Sequence, residues 1–263
     1  MCCQPPVKND DIDFFYEKNM RLIDSAPVEL PTIGITGGEP TLLGERLFDL
    51  IAYIRKRLPN THIQILSNGR KFAESNYAER LTQMSEGMVI VGVPFHSDSP
   101  IIHDRIAGAK NAYNQTLLGL YNLAANDIDT ELRIVLNKQN YQRLPQMAHF
   151  ISKNLAFVAT VAFMAMEDIG YTIKNRDLIW IEPIDYMPQL QQAVIYLSQL
   201  EFDVSLFNLP LCLLPENLRP FAKQSISDWK NRYLPICDTC TAKSECSGFF
   251  STSKSIFQGI HSL

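Results

Sequence analysis

Apolar and polar positions along this chain fall into two alternating rhythms. Between Thr32 and Met166, short apolar and β-branched runs give way to stretches where leucine and isoleucine recur three and four residues apart. Continuous or period-two apolar runs predict strands, and the three–four spacing predicts amphipathic helices. The first run, around Ile33 and Ile35, leads to Leu43, Leu47, Leu50, Ile51, Ile54 and Leu58, a helix over 43–58. A strand over 62–66 and a helix near 76–85 follow. The next strand, 88–93, is apolar throughout, as a strand buried on both faces should be. After a loop over 94–111 come helix 112–125, strand 131–136, helix 144–154 and strand 158–166. Five strand–helix alternations with no hairpin signal predict an α/β fold built on a parallel sheet or barrel. Upstream, Asp10 or Asp11 can cap a helix running to about Ser25. Downstream the rhythm changes, with a helix over 188–200, a strand over 204–207 and a breaker-rich remainder from Pro210. The expected division is therefore 1–180 and 181–263.

Bulk properties narrow the function classes. The 263 residues are 46% hydrophobic and 20% charged, ordinary for a globular protein with a full core. A net charge of −4 without a basic block argues against a nucleic-acid partner. No apolar run reaches the roughly 20 residues that span a bilayer, and Met1–Pro6 lacks the pattern of a signal peptide. A cytoplasmic location is the default, and there six cysteines point to metal ligation or catalysis more than to disulfides.

The strand around Ile35 ends in Gly37-Gly38-Glu39-Pro40. Paired glycines make a tight turn and let a ligand approach the backbone; Pro40 withdraws an N–H just before the next helix. Glu39 is then held at the carboxyl end of a strand, where α/β folds keep their sites. A plain structural turn is the alternative. Cys212, Cys237, Cys240 and Cys246 form a lone cysteine followed by C-x2-C-x5-C. Buried thiols, a zinc site and an iron–sulfur site all suit them, and spacing does not separate zinc from iron–sulfur. Cys2 and Cys3 form a second, incomplete group. Asn68 sits at a strand end in an Asn-Gly turn, which is either a ligand contact or simply a turn. His103 with Asp104, Ser97 and Glu167 are weaker polar candidates. Met164 and Met166 read as core.

Together, Met1-Cys2-Cys3-Gln4-Pro5-Pro6, Gly37–Pro40, Ser67-Asn68-Gly69, His103-Asp104 and the tail cysteines resemble the radical S-adenosylmethionine (SAM) enzymes. More narrowly, the chain resembles the C-type radical SAM maturase of the His-Xaa-Ser system. Phe207–Pro215, Ser227–Asn231, Pro235–Cys240 and Cys246–Phe250 belong to that likeness. The resemblance implies a partial (β/α)6 TIM-like barrel, here lacking its first strand, with a C-terminal cysteine-rich iron–sulfur extension. It implies a SAM-binding [4Fe–4S] cluster, for which Cys2 would be the third ligand, and an auxiliary [4Fe–4S] cluster on the four tail cysteines. Gly37, Gly38, Glu39, Pro40, Asn68 and Ser97 would then meet SAM. The implied reaction is reductive cleavage of SAM to a 5′-deoxyadenosyl radical, which modifies a ribosomally made peptide carrying His-Xaa-Ser repeats. A sister radical SAM maturase and an electron donor would be the other partners. The first two cysteines of the usual C-x3-C-x2-C loop are absent from this sequence, so activity is expected of a longer parent. The alternative is an inactive, peptide-binding scaffold with a structural metal site on the four tail cysteines.

Overall fold

The computed structural model describes residues 11–224, 231–252 and 255–263. In chain order the elements are α1 (Ile12–Ser25), β1 (Thr32–Ile35), α2 (Glu45–Arg57), β2 (His62–Leu66), α3 (Ser75–Ser85) and β3 (Val89–Pro94). Then come α4 (Pro100–Ala107), α5 (Ala112–Ala125), β4 (Asp129–Val135), α6 (Leu144–Asn154) and β5 (Thr160–Met164). Two short helices, α7 (Tyr171–Lys174) and α8 (Arg176–Ile179), precede α9 (Pro183–Gln199) and β6 (Val204–Phe207). The tail holds β7 (Ala222–Lys223), β8 (Asn231–Arg232) and β9 (Phe249–Phe250).

Strands β1 to β7 follow one another in chain order. The chain divides into two compact units. One comprises residues 11–94 with Tyr113–Glu131. In it β1, β2 and β3 are parallel neighbours, Ile35 pairing with Ile65 and Ile65 with Val91. Ile63, Ile65 and Val91 are fully buried, as are Leu47, Ile51 and Ile54 of α2 and Leu81 of α3. Each such side chain contributes about 1.5–3 kcal/mol by leaving water. Tyr77 closes this core, its ring 4.9 Å from Phe48 and 5.4 Å from Phe72.

The other unit comprises Phe95–Ala112 with Leu132–Leu263. Here β5, β6 and β7 are parallel, and β8 pairs antiparallel with β9. Leu144, Met147 and Ile151 of α6 and Leu190, Val194 and Leu197 of α9 are buried, and His149 lies 4.1 Å from the Tyr196 ring. No helix of the described residues is long and apolar enough to cross a membrane.

The expected α/β alternation stands, with local corrections. Asp11 is the cap of α1, its carboxylate accepting from Phe14 N at 3.0 Å. The helix expected over 43–58 begins with a 3-10 turn at Pro40–Leu43, and Gly44 separates that turn from α2. The loop expected over 94–111 contains α4, which starts with Pro100 in its first turn and ends at Gly108 in the left-handed region. Helix α9 starts at Pro183, five residues before the expected 188, and carries Pro188 within it.

Candidate SAM turn and four-cysteine pocket

The turn after β1 and the turn after β2 are tied together by one carboxylate. Glu39 Oε1 accepts from Thr41 N at 3.2 Å, Thr41 Oγ1 at 2.8 Å and Ser67 Oγ at 2.7 Å. Glu39 Oε2 accepts from Asn68 N at 2.7 Å. A carboxylate offers about four acceptor positions, so Oε1 is saturated and Oε2 keeps room for one more donor. Gly37 and Gly38 are exposed, and a Cβ built on either would meet nothing within 4 Å. The turn therefore leaves its backbone open to a ligand, while buried Pro40 anchors it.

Asn68 is committed to the second turn. Its Oδ1 accepts from Arg70 N at 2.9 Å, and its carbonyl accepts from Thr116 Oγ1 at 3.2 Å. Gly69 follows with φ +78°, and a Cβ there would lie 2.8 Å from Val93 Cγ1. Helix α5 approaches so closely that a Cβ on Gly119 would stand 2.2 Å from Gly69 O. The sequence placed Glu39 and Asn68 at strand ends and named Ser67 beside Asn68, but it did not show the Ser67–Glu39 hydrogen bond or the close approach at Gly119. Both roles arise from neighbours far apart in the chain, which the local sequence does not reveal.

Ser97 belongs to the other unit and is fully buried. Its Oγ accepts from Ser99 N at 3.1 Å and donates to Asp98 Oδ1 at 3.4 Å. Asp98 is held by Arg143 through two hydrogen bonds, 2.8 and 2.6 Å. Asn140, also buried, donates to His96 O and Val135 O at 3.0 Å each, pinning the loop after β4. His103 is not a surface histidine: it is 1% exposed. His96 N donates to its Nδ1 at 3.3 Å, which assigns its neutral tautomer with hydrogen on Nε2. Burial lowers its pKa to about 4 against the opposing pull of Asp104. Burial, then the neighbouring His103, lowers that of His96 to about 3. Both rings are neutral at pH 7. Asp104 accepts from Asn111 N at 2.6 Å, and Glu167 accepts from Thr252 Oγ1.

Cys212, Cys237, Cys240 and Cys246 line one pocket, each half-buried. Short turns bring them there: Cys212 sits on the 3-10 turn Leu211–Leu213 after β6, and Cys237 on that of Pro235–Thr239. Backbone N–H groups point at the sulfurs. Leu211 N and Gly248 N donate to Cys246 Sγ at 3.3 and 3.4 Å, and Leu263 N donates to Cys240 Sγ at 3.5 Å. Hydrogen bonds from Leu263 and Ala242 lower the pKa of Cys240, whereas burial raises that of Cys212. Tyr233 OH donates to Cys246 O at 2.7 Å and fixes the loop. A Cβ on Gly248, at φ +58°, would lie 2.7 Å from Arg232 O, so the close approach requires glycine. No group of three or more His, Cys, Asp or Glu among the described residues is set to hold a metal ion. The chemistry of the donor set is that of a thiolate site: four thiols share one pocket, and N–H groups are aimed at Cys240 and Cys246. Cys2, the expected ligand of the other cluster, and Ser227–Lys230 lie outside the described residues.

Comparisons with known proteins bear on the family and the fold. The family model described as the radical SAM superfamily matches residues 2–151. The Fe-coproporphyrin III synthase of Methanosarcina barkeri is 31% identical over 163 residues, 62% of this chain and 39% of that protein. The chain thus spans about two fifths of its curated relative. Among solved structures, Streptococcus suis SuiB bound to S-adenosylmethionine matches with TM-score 0.59 and 13% identity, over 89% of this chain and 52% of that one. SuiB bound to its precursor peptide SuiA matches with TM-score 0.58 and 12% identity, over 78% and 44%. A domain of pyruvate-formate lyase-activating enzyme from Bacteroides vulgatus matches with TM-score 0.52 and 14% identity, over 67% and 98%. At these identities the structures share the fold, a partial TIM-like barrel.

Proposed function

Because the chain belongs to the radical SAM superfamily, we propose that it is the barrel and tail of a peptide maturase of the His-Xaa-Ser system. Gly37, Gly38, Glu39, Pro40 and the Ser67–Gly69 turn would receive the methionine end of SAM, its ammonium taking the remaining acceptor position of Glu39 Oε2. Asn68 would act through its backbone, and Ser97 by shaping the loop after β3. Cys2 would ligate the SAM-binding [4Fe–4S] cluster, and the region 181–263 would hold the auxiliary one. When bound, the cluster and SAM supply reductive cleavage and hydrogen abstraction; the protein binds, orients and shields.

The observation that carries the reading is the meeting of the four tail cysteines on one pocket in a chain of this family. The peptide class is supported by SuiB, which shares the fold and was solved with a precursor peptide. The competing substrate is the porphyrin class named for the Methanosarcina relative. Co-expression of a protein extended upstream to carry the complete C-x3-C-x2-C loop with a precursor peptide carrying His-Xaa-Ser repeats separates them. The expected result is a peptide of altered mass that returns to its encoded mass on Glu39→Ala. An unaltered peptide, with conversion of coproporphyrin by the purified protein, overturns the peptide reading.

A further inference from the structure

The segment Ser255–Leu263 runs within one unit to the four-cysteine pocket, and side chains from 168–182 anchor it on the way. Ser255 Oγ donates to the buried carboxylate of Asp168, just beyond β5, and accepts from Arg176 at 2.8 Å. The Phe257 ring stacks on Trp180, with centroids 5.8 Å apart, and lies equally close to Phe249 of β9. Gln258 N donates to Glu182 Oε2 at 3.1 Å, and Gly259 turns the chain at φ +82° beside Leu213.

Ile260, His261 and Leu263 then line the pocket itself. Leu263 N donates to Cys240 Sγ at 3.5 Å, and Leu263 O is held by Thr241 through its N–H at 3.0 Å and its Oγ1 at 2.9 Å. The His261 backbone hydrogen-bonds the Cys212 thiol, and the Ser262 side chain that of Cys240. Removing the segment would strip these donors from Cys212 and Cys240 and leave Cys246 its own, from Leu211 and Gly248. An electron added to a thiolate-bound iron–sulfur cluster spreads onto its sulfurs, and an N–H dipole aimed at a sulfur stabilises that charge. Such hydrogen bonds therefore help to set the reduction potential.

We propose that Ser255–Leu263 positions the N–H groups of His261 and Leu263 against the auxiliary cluster and thereby raises its reduction potential. The anchors at Asp168, Trp180 and Glu182 hold the segment in place, and Thr241 fixes its last peptide unit. The inference rests on the reading of the tail cysteines as an iron–sulfur site and adds the residues that tune it.

Redox titration of the anaerobically reconstituted full chain with dithionite, followed by EPR of the reduced cluster, tests it. Leu263→Ala removes the side chain and keeps the N–H, whereas Leu263→Pro removes both, so their difference isolates the donor. At a fixed potential the proline variant should be about threefold to tenfold less reduced, about 28–59 mV for a one-electron couple. His261→Pro against His261→Ala makes the same comparison at Cys212, and serves where proline at 263 prevents iron uptake. Equal midpoints within both pairs, or higher ones in the proline variants, would overturn the proposal while leaving the cluster reading intact. Iron lost from both proline variants and kept by both alanine variants would also overturn it, making the segment a holder of the cluster and not a tuner. Zinc uptake without iron or sulfide would overturn the cluster reading and the proposal together.

Discussion

Glu39 does two things with one carboxylate, and the substitutions that separate them are simple. Three donors converge on Oε1 and one on Oε2, so the side chain braces the β1 and β2 turns before any ligand arrives. Glu39→Gln exchanges one acceptor oxygen for a donor amide that must face Asn68 N or the Ser67 and Thr41 donors. The expected cost is about 1–3 kcal/mol of stability in urea unfolding, together with a SAM affinity lower by about tenfold. A loss of SAM binding with unchanged stability would mean that the carboxylate is a ligand and not a brace. At the tail, anaerobically purified protein should contain iron and acid-labile sulfide, both reduced in Cys237→Ser and Cys240→Ser. Zinc without sulfide would assign the pocket to a structural ion instead.

The close crossing of α5 over the β2 turn gives the sharpest test among the elements. Alanine is ordinarily worth about 1 kcal/mol over glycine in a helix. At Gly119 its Cβ would sit 2.2 Å from Gly69 O, so Gly119→Ala should instead lower stability, by about 1–3 kcal/mol. Thermal or urea unfolding reads this directly, and a more stable variant would contradict the packing. Elements that declare themselves by composition were legible in the sequence. Strand β3 is buried on both faces and so lacks polar interruption, and α2 shows its leucine and isoleucine spacing. Helix α4 was not legible: eight residues give barely two turns of periodicity, and its His103 and Asp104 read as loop chemistry. Strands β7, β8 and β9 have two residues each and exist through their pairing alone. Prolines at 183 and 188 both suit a helix start, which displaced the expected beginning of α9. In the site, the Gly-Gly-Glu-Pro string and the cysteine spacing carried most of the reading. The brace from Ser67 and the closeness of Gly119 depend on long-range packing.

For the whole molecule, the buried histidines set a stability limit on the acid side. Both His96 and His103 have pKa values depressed by burial, to about 3 and about 4, against about 6.5 in an unfolded chain. Below about pH 6.5 the unfolded state takes protons that the folded state refuses, so their contribution is intact above that pH and is lost as pH falls toward 4. Urea midpoints should drop between pH 7 and 5, above the range where most carboxylates titrate; a flat profile there would contradict neutral burial of the pair. Both units are needed for the proposed activity, one supplying the Gly37–Pro40 turn and the other the cysteine pocket. The measurement that tests the account most directly is 5′-deoxyadenosine release from anaerobically reconstituted protein extended upstream to carry a complete C-x3-C-x2-C loop, given SAM, reductant and the His-Xaa-Ser peptide. The account predicts release that rises with the peptide and is lost on Glu39→Ala. Iron- and sulfide-replete protein that releases none, with the peptide present and recovered at its encoded mass, would contradict it.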